Sequence, residues 1–125
     1  MEIRQNLRYT HDHEWVRSDE TGVYAGITDF AQGELGDIVY IDIETVGQHL
    51  VQGEPFGSVE AVKTVSELFM PVSGVILEVN EALVSQPELV NAEPYEKGWM
   101  VKILPDNTDD INGLLSAEEY AQVIG

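Results

Sequence analysis

Gly57-Ser58-Val59-Glu60-Ala61-Val62-Lys63-Thr64-Val65-Ser66-Glu67-Leu68-Phe69-Met70-Pro71-Val72-Ser73-Gly74 is the stretch that decides how this chain folds. It holds one of only three lysines, the others being Lys97 and Lys102. Lys63 lies in an apolar and acidic run rich in β-formers, which Pro71 and Gly74 close. On local grounds the lysine fits two roles. It is an exposed guard against edge-to-edge strand pairing, a common use of lysine, or it is the working residue that the rest of the chain presents. No Asn-Gly or Asp-Gly marks a hairpin between Phe56 and Met70, so propensity alone draws one long strand.

Working outward, residues 37–44 form the clearest strand, with Ile41 and Ile43 alternating against Asp42 and Glu44. Residues 46–54 carry a glycine turn at each end, and His49 between them reads as a surface residue. Pro55 opens the next strand, where its missing N–H does least harm. Nearer the N-terminus, residues 7–10, 15–17 and 23–27 read as strands, with a turn at 18–22. Thr28 or Asp29 caps a short helix over 30–35 that Gly36 stops, and Phe30 and Leu35 are expected to pin it to the core. Downstream, 75–79 is a strand, 86–90 a helical turn with proline near its start, 91–98 a loop and 99–103 the final strand. Residues 104–106 are expected to leave the sheet. A weak helix follows over 109–115. Ser116-Ala117-Glu118-Glu119 is a capping box, opening a last helix with Tyr120, Val123 and Ile124 on its apolar side. A turn feeding a β-rich stretch occurs at 46–53 and again at 72–79, a faint echo of two related halves.

At 125 residues and 43% hydrophobic content, one domain with a sizeable core is expected over 1–125. Its body spans about 7–104, with a helical C-terminal segment at about 108–124. No long uncharged apolar run suggests a membrane span. The net charge of −17 repels nucleic-acid phosphate and anionic lipid, and steers the protein toward basic partner surfaces. Cysteine is absent, which excludes disulfides, thiolate metal sites and a thiol nucleophile. Any sulfur redox chemistry must come from an attached cofactor. Residues 1–6 have neither the apolar core of a secretory signal nor the basic, serine-rich character of a transit peptide. A bacterial cytoplasmic protein is expected, although a mature mitochondrial form would look the same.

His11-Asp12-His13-Glu14 places two histidines at i, i+2 beside two carboxylates. Metal ligation needs further ligands, and no second cluster supplies them, so a polar surface turn is the simpler role. The Asp–His pair also suggests a catalytic triad, but no G-x-S-x-G elbow accompanies it.

Beyond these local patterns, blocks occur in a specific order. They are His13-Glu14-Trp15, Gly26-Ile27-Thr28-Asp29-Phe30-Ala31-Gln32, Leu35-Gly36-Asp37-Ile38-Val39, Val59-Glu60-Ala61-Val62-Lys63 and Pro71-Val72-Ser73-Gly74. Val79-Asn80, Pro87-Glu88-Leu89-Val90-Asn91 and Pro94-Tyr95-Glu96-Lys97-Gly98-Trp99 complete the set. A Val-Lys dipeptide alone would mean nothing. The ordered set, running from about Leu7 to the last helix, resembles the H protein of the glycine cleavage system, a lipoyl-lysine carrier. The resemblance implies a mainly β fold, a flattened β-sandwich or barrel of the lipoyl/biotinyl type with short helices and a C-terminal helix. It implies a tight turn at Val62-Lys63, with Ala61 facing Thr64 and Glu60 facing Val65, so that Lys63 stands at a hairpin tip. It further implies lipoic acid in amide linkage to Lys63, which removes the lysine charge and makes a long neutral arm.

The function so implied is transport, not catalysis. The aminomethyl group of glycine would pass from the P-protein, a pyridoxal-phosphate-dependent decarboxylase, to the tetrahydrofolate-dependent T-protein. The L-protein, a dihydrolipoamide dehydrogenase, would reoxidise the arm, and lipoylating enzymes would attach it. A monomer is expected, since a carrier offers its arm to several partners. Glu14, Glu67 and Asp12 match the positions where the family shelters the loaded arm, with Glu14 as the main holder of the cationic amine and Glu67 in support. The alternative is that Glu14 and Glu67 are ordinary solvated acids.

Three departures from the family pattern stand out. Residues 43–47 read Ile-Glu-Thr-Val-Gly without the usual proline, Ala61 and Thr64 replace a serine and an alanine, and Phe69-Met70 precede Pro71 in place of more polar residues. Other functions remain open: a lipoyl-relay carrier that donates lipoyl groups to other proteins, a biotinyl-type domain, or an interaction module with unmodified Lys63. A biotinyl domain typically flanks its lysine with methionines, which Val62 and Thr64 are not.

Overall fold

Period-2 alternation in short segments yields nine strands, and helical turns fill the connections between them. The computed structural model describes residues 1–125. In chain order the elements are Arg8–Tyr9 (β1), Glu14–Asp19 (β2), Gly22–Ile27 (β3), Asp29–Leu35 (α1), Ile38–Asp42 (β4), His49–Leu50 (β5), Pro55–Ala61 (β6) and Val65–Phe69 (β7). Gly74–Val79 (β8), Ala82–Ser85 (α2), Leu89–Ala92 (α3), Val101–Pro105 (β9), Asp109–Asn112 (α4) and Ala117–Ile124 (α5) follow. The strands form two antiparallel sheets: six strands in the order β1-β2-β3-β9-β8-β5, and three in the order β4-β6-β7. The sheets do not join into a closed barrel, so the architecture is the sandwich of the two forms expected.

The main core draws on both sheets, with Ala25, Ile27, Ile76, Val101 and Ile103 from the large one and Ile38, Ile41, Phe56, Val59 and Leu68 from the small one. Burial in β6 skips from Phe56 to Val59, because the pairing slips around Gly57. A Cβ at Gly57 would lie 2.5 Å from the Asp42 carbonyl, so the close approach there requires glycine. A similar slip between Ile38 and Tyr40 resets β4. Ile38 and Ile41 are therefore the buried pair, and Ile43 only rests against the core.

The hairpin implied by the resemblance is present. Glu60 pairs with Val65, and the Ala61 amide donates to the Thr64 carbonyl at 2.8 Å. No residue in this turn has a positive φ, which explains the missing Asn-Gly signature. The tip is held from outside, where the Val62 amide donates to the Asp37 carbonyl at 3.0 Å.

Several expectations need correction. Phe30 does not pin α1 to the core; no α1 residue is buried, Ala31 and Leu35 rest on the core, and Phe30 lies against His13 at 4.8 Å between ring centres. Leu104 and Pro105 stay in the sheet, paired with Val75 and Gly74. The absence of a side chain at Gly74 permits this, since its Cβ would stand 2.3 Å from the Leu104 carbonyl oxygen. The helix after Pro87 runs on through Ala92, beyond the expected end at 90, and a further helical turn forms at Ala82–Ser85. On α5 the buried contacts come from Ala117 and Tyr120, while Val123 is 40% exposed. The Ser116–Glu119 capping box forms in both directions. Where the family's loop proline is missing, the Thr45 hydroxyl donates to the Phe56 carbonyl at 2.8 Å and ties the loop to β6.

Two glycines should respond oppositely to added bulk. Gly33 has open space around its Cβ position within a helix, so Gly33→Ala should stabilise by about 0.5–1 kcal/mol. Gly74→Ala should destabilise by roughly 1–3 kcal/mol through the clash with β9. Urea unfolding midpoints of the two variants against the parent measure both.

Candidate functional site

Lys63 is exposed at the tip of the β6–β7 hairpin, flanked by Val62 at 70% and Val65 at 63% exposure. The exposure of Val62, Lys63 and Val65 together leaves the lysine side chain open to solvent. From the tip a groove runs past Val62 and Asp37 to Gly33, Glu34, Leu35 and Gly36. Glu34 and Leu35 also line a second, larger cavity of about 400 Å³. The C-terminal end of α1 therefore forms a common wall between the lysine's groove and this cavity.

The cavity gathers the other residues singled out from the sequence. Asp12 and His13 come from the turn before β2, Glu14 from its first residue, and Ser66, Glu67 and Leu68 from β7. Ile27, Phe30, Ala31, Leu35 and Val59 make the rest of its wall largely apolar. Asp12 and Glu67 are exposed at its mouth, while Glu14 is only 3% exposed. Lys63 itself does not line the cavity; it lines the adjoining groove, which shares Glu34 and Leu35 with it.

Glu14 opens β2 in the large sheet, yet its side chain crosses to the small one. Its Oε2 accepts the Phe69 amide of β7 at 2.7 Å. β7 is an edge strand, so this amide has no strand partner on its outer side. The other carboxyl oxygen, Oε1, is buried without any partner. Burial pushes the Glu14 carboxyl up to about 8; the bond from Phe69 opposes the rise and the nearby charge of Asp12 adds to it. Glu14 is thus not an ordinary solvated acid.

The turn that delivers Glu14 is organised by residues the sequence did not flag. The Thr10 hydroxyl accepts the amides of Asp12 and Glu14, each at 3.2 Å, and the His13 amide donates to the Thr10 carbonyl. His13 takes a φ of 63°, the only non-glycine residue with a positive φ. Histidine is among the residues that tolerate this conformation better than most. His11 and His13 lie in a turn and not in a strand, and no group of three His, Asp or Glu side chains is placed to hold a metal ion. Thr10 followed at four residues by a strand start was the available signal, but threonine within a β-rich segment reads as strand.

A sandwich of two sheets that raises one lysine on a hairpin, with a groove leading to a sheltered cavity, defines a carrier domain of the lipoyl/biotinyl type. The comparisons are more specific. Residues 7–125 match the family described as glycine cleavage H-protein. The chain is 53% identical over 124 residues to the glycine cleavage system H protein of Geobacillus thermodenitrificans, covering 99% of this chain and 98% of that one. It is 52% identical to that of Bacteroides thetaiotaomicron, at the same coverage. The crystal structure of a glycine cleavage system H protein from Mycobacterium marinum superposes with a TM-score of 0.86 at 39% identity, over 96% of this chain and 97% of that one. The chain belongs to the glycine cleavage H-protein family. No helix is long and apolar enough to cross a membrane.

The raised Glu14 value has a consequence for stability. Folded, the carboxyl keeps its proton to about pH 8; unfolded, it loses it near its ordinary value of 4.5. The folded state therefore binds more protons throughout this window, and stability from this group falls as pH rises from about 4.5 through about 8, at up to about 1.4 kcal/mol per pH unit. Glu14→Gln keeps an acceptor for Phe69 and removes the titration. The difference in unfolding free energy between parent and variant, followed from pH 4 to pH 9, should turn in favour of the variant as pH rises; a flat difference would contradict the burial effect.

Proposed function

We propose that this chain is the lipoyl carrier of the glycine cleavage system, bearing lipoic acid in amide linkage to Lys63 and catalysing no step itself. The observation that carries this conclusion is the buried, unpartnered Oε1 of Glu14, set in a largely apolar cavity one groove away from an exposed lysine. The residues suit the group. An apolar wall of Phe30, Leu35 and Leu68 accommodates an aliphatic chain, and carboxylates accommodate a cationic end. Glu67 lies four residues beyond Lys63, about 13 Å at the rise of a strand. A lysine side chain extended by an eight-carbon acyl group spans a length of the same order. Bound lipoic acid supplies the sulfur that takes up the aminomethyl group of glycine and yields it to the next protein of the system.

The chain's own residues then do three things. The Ala61–Thr64 and Val62–Asp37 backbone bonds hold the tip in a fixed place while the side chain of Lys63 stays free. Phe30 and Leu68 help to exclude water from the cavity. Glu14 offers Oε1 to the amine. A neutral amine arriving there takes the carboxyl proton, and the resulting ammonium–carboxylate pair adds no net charge to a buried site. Asp12 and Glu67 at the mouth add negative potential that favours a cation inside. The partners required are the P-protein, the T-protein, the L-protein and a lipoylating enzyme, and the net charge of −17 favours approach by basic surfaces.

Incubation with a lipoylating system should raise the intact mass by one lipoyl group, and Lys63→Arg should abolish the gain. A biotinyl increment, or no increment, would overturn the assignment. Reconstitution with the P-protein should give lipoyl-dependent glycine decarboxylation; its absence would rule out the glycine cleavage role and leave lipoyl relay. Glu14→Gln in the loaded carrier should speed loss of the aminomethyl group by roughly ten-fold or more, the scale of a charge-assisted hydrogen bond. An unchanged rate sinks the holding role of Glu14.

A further inference from the structure

The C-terminal helix reaches the cavity wall through one side chain. Tyr120 on α5 is fully buried and stacks on Tyr9 of β1, with ring centres 4.6 Å apart and planes within 5°. Its hydroxyl lies 2.7 Å from the Thr28 hydroxyl and 3.0 Å from Nδ1 of His13. His13 lines the cavity beside Glu14 and lies against Phe30, which lines it too. The other ring nitrogen, Nε2, has no protein partner.

The direction of this hydrogen-bond chain follows from a count of donors and acceptors. Thr28 is completely buried. As the cap of α1, its oxygen accepts the Ala31 amide at 3.2 Å. Its own hydrogen has a single acceptor within reach, the Tyr120 oxygen. A buried hydroxyl left without an acceptor is costly. Thr28 therefore donates to Tyr120, and the Tyr120 hydrogen has only Nδ1 of His13 left to serve. Burial also raises the Tyr120 phenol above its ordinary value, so the hydrogen is present to be donated. With Nδ1 accepting, the proton of the neutral imidazole sits on Nε2.

We propose that Tyr120 is a positioning residue for the cargo cavity, its hydroxyl fixing His13 as the Nε2–H tautomer and holding the ring as a wall beside Glu14. The effect is directional. A histidine with a free lone pair in the cavity would compete with Glu14 for the amine. A wall that presents N–H instead leaves the Glu14 carboxyl as the acceptor there, a discrimination built by removing the wrong partner. The C-terminal helix thereby belongs to the holding site, although none of its residues lines the cavity. This inference rests on the carrier function proposed above.

The test compares Tyr120→Phe with the parent. The substitution removes only the hydroxyl and leaves the ring stacked on Tyr9. Nitrogen-15 spectra of the unlipoylated protein, at a pH where the imidazoles are neutral, should show His13 as Nε2–H in the parent. In Tyr120→Phe it should become a tautomer mixture, while His11 and His49 stay unchanged. In the lipoylated, aminomethyl-loaded carrier, release should rise roughly five-fold, the ratio that loss of one ordinary hydrogen bond yields. His13→Asn tolerates the positive φ and removes the ring, so it should also speed release, independently of any effect of the tyrosine on folding. An Nδ1–H tautomer in the parent overturns the inference, as does release that is unchanged in both variants. The tautomer measurement does not depend on Lys63 being modified. If Glu14→Gln speeds release and the Tyr120 and His13 variants do not, this inference alone falls; if Lys63 takes up no lipoyl group, the carrier function falls.

Discussion

One hydrogen bond joins the two sheets where the cargo would lie. The amide of Phe69, on the outer edge of the small sheet, donates to a carboxyl group that starts a strand of the large one. It satisfies one oxygen of Glu14 and leaves the other buried and unpartnered. A carboxyl removed from water with half its bonding capacity unused is unfavourable by kilocalories, and its protonation is shifted accordingly. Protein folds rarely keep such a group without a use for it, and strongly shifted carboxyls concentrate at functional sites. The same contact covers part of an exposed strand edge that would otherwise invite pairing with another chain.

The remaining geometry follows from holding that contact in place. Thr10 draws the backbone amides of Asp12 and Glu14 together, and His13 takes the left-handed conformation that the tight turn needs. The helix between β3 and β4 closes one side of the cavity with Phe30 and Leu35, and its far end meets the groove from the lysine. The helix is loosely packed on the core. Its cap, Thr28, joins the hydrogen-bond chain to Tyr120, which ties this wall to the C-terminal helix. Lys63 and Glu14 are thus on separate elements that share a helix as their common boundary.

The departures from the family pattern are accommodated locally. Ala61 and Thr64 face each other at the base of the turn, the first buried at 4% and the second exposed, so a small residue is needed only on the inner side. Met70 is buried in the core, and Phe69 contributes its backbone to Glu14, a role indifferent to its side chain. A threonine hydroxyl bond restrains the loop that lacks proline.

Residue pattern and order determined much of this protein unaided. Alternation and turn residues marked most strands, the Ser116 capping box marked the last helix, and the resemblance carried by the ordered blocks pointed to Lys63, Glu14, Glu67 and Asp12. These signals are legible because they depend on near neighbours in the chain. The resemblance, not propensity, supplied the hairpin, since its turn uses only ordinary backbone conformations and is secured by Asp37, a residue 25 positions away from Val62. The phase of burial in β4 and β6 was hidden for a related reason, because bulges arise from pairing across strands. What only the tertiary structure decided is the state of Glu14. Sequence shows a carboxylate in a polar cluster, which elsewhere would be solvated. Its burial, its half-satisfied bonding and its neighbour His13 fixed by Tyr120 exist because two sheets and a distant helix close around one turn. Desolvation is a property of that enclosure and has no counterpart in local sequence.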